Sequence, residues 1–129
     1  MLKDTVELFL YIGEFDDEAQ FQKVTLQNCY CVVDKGASST TRGKAPTDNV
    51  KFYIFDCKTV ATSDNGTRLQ YVPYEEWKYA LDKSKKWTLS DKGEDYFRVV
   101  GNDAEYKITN YSRKETGRKR MWHFEVIGR

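Results

Sequence analysis

Three cysteines, Cys29, Cys31 and Cys57, and a single histidine, His123, are the side chains of this 129-residue chain best suited to metal or nucleophilic chemistry. Cys29 and Cys31 stand two apart, so on a strand they share a face. A tetrahedral zinc site usually draws closely spaced ligand pairs from two segments. Here the second pair is missing, because His123 stands alone. An odd number of cysteines without a secretory leader also argues against a disulfide framework. The expected role is that of reduced thiols packing as small apolar residues.

The other reactive candidates are weaker. Asp16-Asp17-Glu18 offers carboxylates for a hard cation but lacks the regular oxygen spacing of a calcium loop. It reads as an acidic surface turn. No Gly-x-Ser-x-Gly, Gly-Lys-Ser or Gly-Lys-Thr occurs, and Gly36 and Gly43 are too sparse to cradle a phosphate. His123 lies among aromatic residues, on the strand face opposite Trp122 and Phe124, which fits a packing or hydrogen-bonding role. With no convergent constellation, a non-enzymatic protein without metal or cofactor is expected.

Charge is more informative than catalysis. The chain carries 21 Lys and Arg against 20 Asp and Glu, but unevenly. Residues 1–19 hold Asp4, Glu7, Glu14, Asp16, Asp17 and Glu18 against Lys3 alone. Residues 112–120 hold Arg113, Lys114, Arg118, Lys119 and Arg120 against Glu115. These are either two solvated loops or two complementary patches that meet on neighbouring subunits. Basic residues also alternate with Tyr111 and Trp122, as on a barrel that binds single-stranded nucleic acid. The near-neutral balance speaks against a dedicated nucleic-acid module.

These residues must be positioned by a small β domain. The length fits one domain, 1–129, with one core. Aromatics make up 15% of the chain, a bias toward strands. No apolar run approaches the roughly 18 residues that span a bilayer. The opening Met1-Leu2-Lys3-Asp4 lacks a leader's apolar core, so maturation in a cytoplasm is expected.

A first strand is predicted over Thr5 to Ile12, with Val6, Leu8, Leu10 and Ile12 on one face. Gly13 to Glu18 reads as a turn. A long strand follows, Phe21 to Val33, with Val24, Leu26, Tyr30 and Val32 inward. Asn28 interrupts it, as at a bulge or barrel corner. Asp34 to Asn49 has no periodicity, and its length marks it as a functional loop. Val50 to Phe55 is apolar on both faces, as if covered by the core inside and a neighbour outside. Lys58 to Arg68 is a second polar loop, turning at Asn65-Gly66.

Pro73 opens the one predicted helix, Tyr74 to about Lys83, with a stripe of Tyr74, Trp77, Ala80 and Leu81. Trp87 to Leu89, Tyr96 to Val100, Glu105 to Tyr111 and Arg120 to Ile127 read as short strands. The last two form a hairpin closed by Ser112 to Lys119. The predicted core is Val6, Leu8, Val24, Leu26, Tyr30, Phe52, Ile54, Trp77, Val99, Ile108, Trp122 and Phe124. The fold class is mainly β: a small, partly closed β-barrel with one short helix and long loops, or otherwise a β-sandwich.

The order of several segments carries a resemblance. Thr5-Val6-Glu7-Leu8-Phe9 opens the chain, followed by Val24 to Val33 and Asn49 to Phe55. Then come Pro73-Tyr74-Glu75-Glu76-Trp77, Trp87-Thr88-Leu89, Gly93-Glu94-Asp95 leading to Val99-Val100-Gly101, and His123-Phe124-Glu125-Val126-Ile127-Gly128. This series resembles the small head–tail connector proteins of tailed phages, the minor capsid or head-closure, stopper-like family. Two departures stand out: Glu94 separates Gly93 from Asp95, and Phe124 follows His123 where the family often has Trp.

The resemblance implies a structural virion protein, made in the host cytoplasm. It would form a homo-oligomeric ring, dodecameric in such families, that closes the head and joins it to the tail around the DNA channel. Its partners would be the portal and adaptor proteins on the head side, the tail terminator below, and packaged DNA by sequence-independent contact, with no membrane. On that reading Lys35, Arg42, Lys44, Asp16, Asp17 and Glu18 are partner-binding residues. Arg113, Lys114, Arg118, Lys119 and Arg120 contact a neighbouring subunit or DNA. The alternative is a small β-barrel that binds nucleic acid or protein within a mobile element.

Overall fold

The computed structural model describes residues 3–34, 49–92, 94–102 and 104–129. The protein is mainly β. Its strands are β1 (Asp4–Phe15), β2 (Glu18–Asp34), β3 (Asn49–Phe55), β4 (Val60–Thr62) and β5 (Gln70–Tyr71). After helix α1 (Tyr74–Lys78) come β6 (Lys86–Trp87), β7 (Tyr96–Val99), β8 (Glu105–Lys114) and β9 (His123–Gly128). Seven strands form one antiparallel sheet in the order β1-β7-β8-β9-β3-β2-β4. Because β1 also pairs with β2, the hydrogen bonds of six of them run in a closed circuit. β5 and β6 pair in parallel as a separate two-stranded sheet.

Two long strands turn the corners of this circuit, and each does so with a bulge. β2 pairs with β1 along its first part and with β3 from Tyr30 to Asp34. Between Leu26 and Cys29 it carries one residue more than β1. Asn28 absorbs the bend at φ 67°, in the left-handed region that Asn tolerates better than most residues. Its amide donates to the Lys58 carbonyl at 3.2 Å, and its carbonyl accepts from the Thr59 hydroxyl at 2.9 Å. The interruption predicted at Asn28 is therefore a bulge.

The bulge also exchanges the faces of β2 beyond it. An inserted residue reverses the side-chain alternation beyond it. Cys29 is buried in the core and Cys31 packs against it. Tyr30 and Val32, predicted inward, face out at 42% and 38% exposure. β8 repeats the device with a shift between Ile108 and Asn110. Tyr106 and Ile108 point inward before it, and Tyr111 packs inward after it.

Ten of the twelve predicted core residues lie in or against the interior. Val6, Leu8, Val24, Leu26, Phe52, Ile54, Trp77, Ile108 and Phe124 are buried, and Val99 packs against them. Tyr30 is displaced by the bulge. Trp122 is only half-buried, because it precedes β9 at the end of a 3-10 turn, Lys119–Met121, rather than lying within the strand. Gly128 closes the inner row of β9. A Cβ there would overlap the ring of Phe97, so glycine lets that ring pack directly against the strand.

Three local expectations are corrected. The helix ends at Lys78 rather than near Lys83, and Leu81 is fully exposed. Of its stripe Trp77 is buried and Tyr74 packs against the core, but beyond Lys78 there is no such packing to hold a longer helix. Lys83 instead folds back, its ammonium donating to the carbonyls of Ala80 and Lys78 at 3.0 and 3.4 Å. The second polar loop contains β4, and Asn65-Gly66 does form its turn, with Ser63 N–H donating to the Thr67 carbonyl at 2.8 Å. Trp87 to Leu89 is strand only at Lys86–Trp87, although Thr88 and Leu89 are completely buried.

The segment from β5 to β6 is held on the sheet by Gln22. Its amide donates to the carbonyls of Lys83 and Lys86, both at 3.1 Å, and its carbonyl accepts from the Trp77 indole at 3.3 Å.

Candidate functional site

β1 and β2 continue past the body of the sheet as a two-stranded ribbon. β7 stops at Tyr96, opposite Phe9, so among the described residues the outer part of β1 pairs with β2 alone, with one further hydrogen bond. In that bond the Tyr11 N–H donates to the Asp95 carboxylate at 2.9 Å. The predicted turn from Gly13 to Glu18 is mostly strand. Only Asp16 and Asp17 are unpaired, at φ 56° and 65° between the last pair, Phe15 and Glu18. Two consecutive positive φ values make a two-residue hairpin turn whose twist matches the strands.

Gly13, at φ 127°, follows a bulge between Tyr11 and itself. By pairing, Phe15 falls on the face of Glu18, Gln20 and Gln22, the continuation of the core face of Val24 and Leu26. Among the described residues little covers it, and Phe15 is 69% exposed. Asp16, Asp17 and Glu18, predicted to bind a partner, are exposed at the ribbon's tip with Glu14 beside them. Lys35, Arg42 and Lys44 lie outside the described residues.

The basic connection between β8 and β9 divides into two parts. Lys114, Arg118, Lys119 and Arg120 are exposed and join no ion pair among the described residues. Lys119 Nζ lies 5.9 Å from the Trp122 ring centroid. Arg113 is different. The β8 bulge turns it inward, where it makes a two-pronged pair with the Asp56 carboxylate, one prong at 2.6 Å, and reaches Glu115 at 3.1 Å. Its guanidinium lies 4.6 Å from the Phe124 ring. These carboxylates hold the guanidinium pKa above its already high ordinary value, the Asp56 hydrogen bonds foremost. Arg113 was expected to contact a neighbour or DNA; within the subunit it is already engaged.

Beside Arg113 opens a cleft of about 570 Å³ between the sheet and the β5–β6 segment. Its walls are largely aromatic and aliphatic, including Phe55, Leu69, Tyr71, Trp87, Tyr111 and Phe124, while Asp56, Thr59, Arg113 and Glu115 bring polar groups to it. Burial raises the pKa of Tyr71 and Tyr111, so both phenols stay neutral. The cleft was not anticipated from sequence. Its walls come from β3, β4, β5, β6, β8 and β9, and Tyr111 reaches it only through the β8 bulge.

The cysteines and His123 sit in different surroundings. Burial foremost pushes both the Cys29 and Cys31 thiols up to about 12, so neither is a thiolate at neutral pH. Cys57 is exposed. His123 packs against Tyr53 and Phe55, with Nδ1 3.0 Å from the Met121 carbonyl and Nε2 3.3 Å from the Glu125 carboxylate, so a neutral ring donates to one of the two. Among the described residues no group of three His, Cys, Asp or Glu is gathered to hold a metal.

Strand direction relates the charged features. β1 and β8 both run antiparallel to β7, and β3 and β8 both run antiparallel to β9. The C-terminal ends of β1, β3 and β8 therefore lie at one end of the sheet. They lead into the acidic turn, Asp56 and the basic connection respectively. Asp34 and Asn49, which bracket the predicted partner loop, pair with each other at the opposite end. Comparison with protein-family models, curated proteins and solved structures gives no match.

Proposed function

We propose that this protein is a structural subunit of a tailed-phage head–tail connector, assembling into a ring that closes the head and joins it to the tail around the DNA channel. The observation that carries the reading is the pair of oppositely charged, outward features on different elements at the same end of the sheet. A ring of identical subunits needs two different, complementary surfaces on each one. Rotation about the ring axis keeps corresponding residues at one height, so with the strands along that axis such surfaces must lie at one level. The acidic ribbon tip and the basic connection meet that requirement. The ordered resemblance running from Thr5-Val6-Glu7-Leu8-Phe9 to His123-Phe124-Glu125 adds the identity of the assembly.

In this role the protein performs no reaction. Its chemistry is recognition: exposed carboxylates against exposed ammonium and guanidinium groups, with steering and register set by charge. The segment between Asp34 and Asn49, outside the described residues, would then be the arm toward the adaptor or tail.

The test is assembly. Phage particles lacking the protein should leave filled heads and finished tails unjoined. Arg118→Glu with Lys119→Glu should block its incorporation, and Asp16→Lys with Asp17→Lys should partly restore it. Normal particles from the first double variant would exclude the pairing. Connectors that form but lose DNA in a salt-dependent way would instead assign the basic residues to the channel.

A further inference from the structure

We infer that Phe15 is a knob that seats in the aromatic cleft of a second copy of this chain, with the carboxylates around it meeting the basic connection beside that cleft. The inference rests on the ring reading above and specifies its contact.

Position, rather than exposure alone, sets the knob apart from other exposed apolar side chains such as Tyr79 and Leu81. Phe15 lies at the end of a ribbon that β7 does not reach, on the line of the core face, and is mostly exposed. Ile12, in the bulge behind it, is 50% exposed. A large aromatic side chain so exposed at a hairpin tip contributes little to the monomer, and most of its apolar surface leaves water only when a partner covers it.

The hole is also present on each copy. The cleft is much larger than one aromatic side chain, and Phe55, Tyr71, Tyr111 and Phe124 offer ring faces and edges to it. An incoming carboxylate would find Lys114, Arg118, Lys119 and Arg120 on the adjoining connection. Knob and hole both lie at the end shared by β1, β3 and β8, which lets one rotation bring each knob to the next hole. Knob and hole are different surfaces, so the contact is head to tail and can close a ring.

Photocrosslinking of the full chain tests this. Benzoylphenylalanine placed at position 15 is irradiated in the purified protein at its highest soluble concentration and in assembled particles, and products are mapped by mass spectrometry. Inter-chain products on segments 54–61 or 111–124 are expected. Phe15→Ser should abolish self-association measured by sedimentation, with Phe15→Leu restoring part of it and thermal unfolding unchanged in both. Self-association with crosslinks only elsewhere would overturn this contact and leave the ring reading standing. No inter-chain product in either setting, with a monomer throughout, would overturn both.

Discussion

The Thr59 hydroxyl donates to the Asn28 carbonyl at 2.9 Å while accepting the Phe55 N–H at 2.9 Å. One side chain thus joins the bulged corner of β2 to the end of β3. Thr59→Val keeps the shape and removes both bonds. We expect a loss of about 1–2 kcal/mol in chemical denaturation, with Thr59→Ser close to the parent. An unchanged midpoint for Thr59→Val would mean that the left-handed turn at Asn28 holds the corner unaided.

Arg113 and the outer basic residues should separate by effect. Arg113→Ala removes the Asp56 pair and the stacking on Phe124, and should cost on the order of 1–3 kcal/mol of stability. A double-mutant cycle with Asp56→Ala should return a coupling of about 1 kcal/mol. Reversing Arg118 and Lys119 should leave the unfolding midpoint within about 0.5 kcal/mol while changing assembly. A large destabilisation by the second pair would show that those residues support the fold.

Asp95 makes stability depend on pH. Its carboxyl is buried, and desolvation foremost, with Glu94 nearby, raises its pKa from 3.8 to about 6, despite the Tyr11 N–H it accepts. Between these values the folded protein retains a proton that the unfolded chain has lost. Stability therefore falls as pH rises through that window, by about 3 kcal/mol at most given about 1.4 kcal/mol per unit. Asp95→Asn keeps an oxygen to accept the Tyr11 N–H and removes the charge. It should be more stable than the parent at pH 7 and flatten the profile between about pH 4 and 6. Lower stability for the amide at neutral pH would contradict this account.

Phe124 and Trp122 lie two apart but should differ. Phe124→Ala opens a hole beneath Arg113 and beside Tyr71, and should cost roughly 3–5 kcal/mol. Trp122→Ala, partly buried outside the strand, should cost less than that. Equal losses in thermal unfolding would mean that Trp122 is better packed than its exposure indicates.

Much of the fold was legible because alternation is a local signal. Val6, Leu8 and Leu10 alternate without interruption, and the chain buries them as read. Asn28 also announced its corner. Predicting that Tyr30 and Val32 would swap faces with Cys29 and Cys31 required counting the extra residue across the partner strand, which one strand's pattern does not contain. The helix was overextended because Leu81 matched the stripe in spacing, yet the sheet offers it no surface. Asp16-Asp17 could have been read as a two-residue turn, since aspartate tolerates positive φ. The cleft was hidden for another reason: Tyr71, Tyr111 and Phe124 meet only when the circuit of strands closes.

That circuit has a seam. β1 and β7 share four residue pairs, from Val6 with Val99 to Phe9 with Tyr96, joining segments from distant parts of the chain. The β1–β2 hairpin, by contrast, is local and can form early in folding. The seam should close late, because the entropy of a long intervening loop must be overcome, and should be among the first places to open. Amide exchange at β7 should accordingly be faster than in β9. Since β1 carries both the seam and the ribbon, a neighbour gripping Phe15 would also keep the seam shut. Assembly and the kinetic lifetime of each subunit are then linked through one strand, and subunits locked in a ring should outlast free ones.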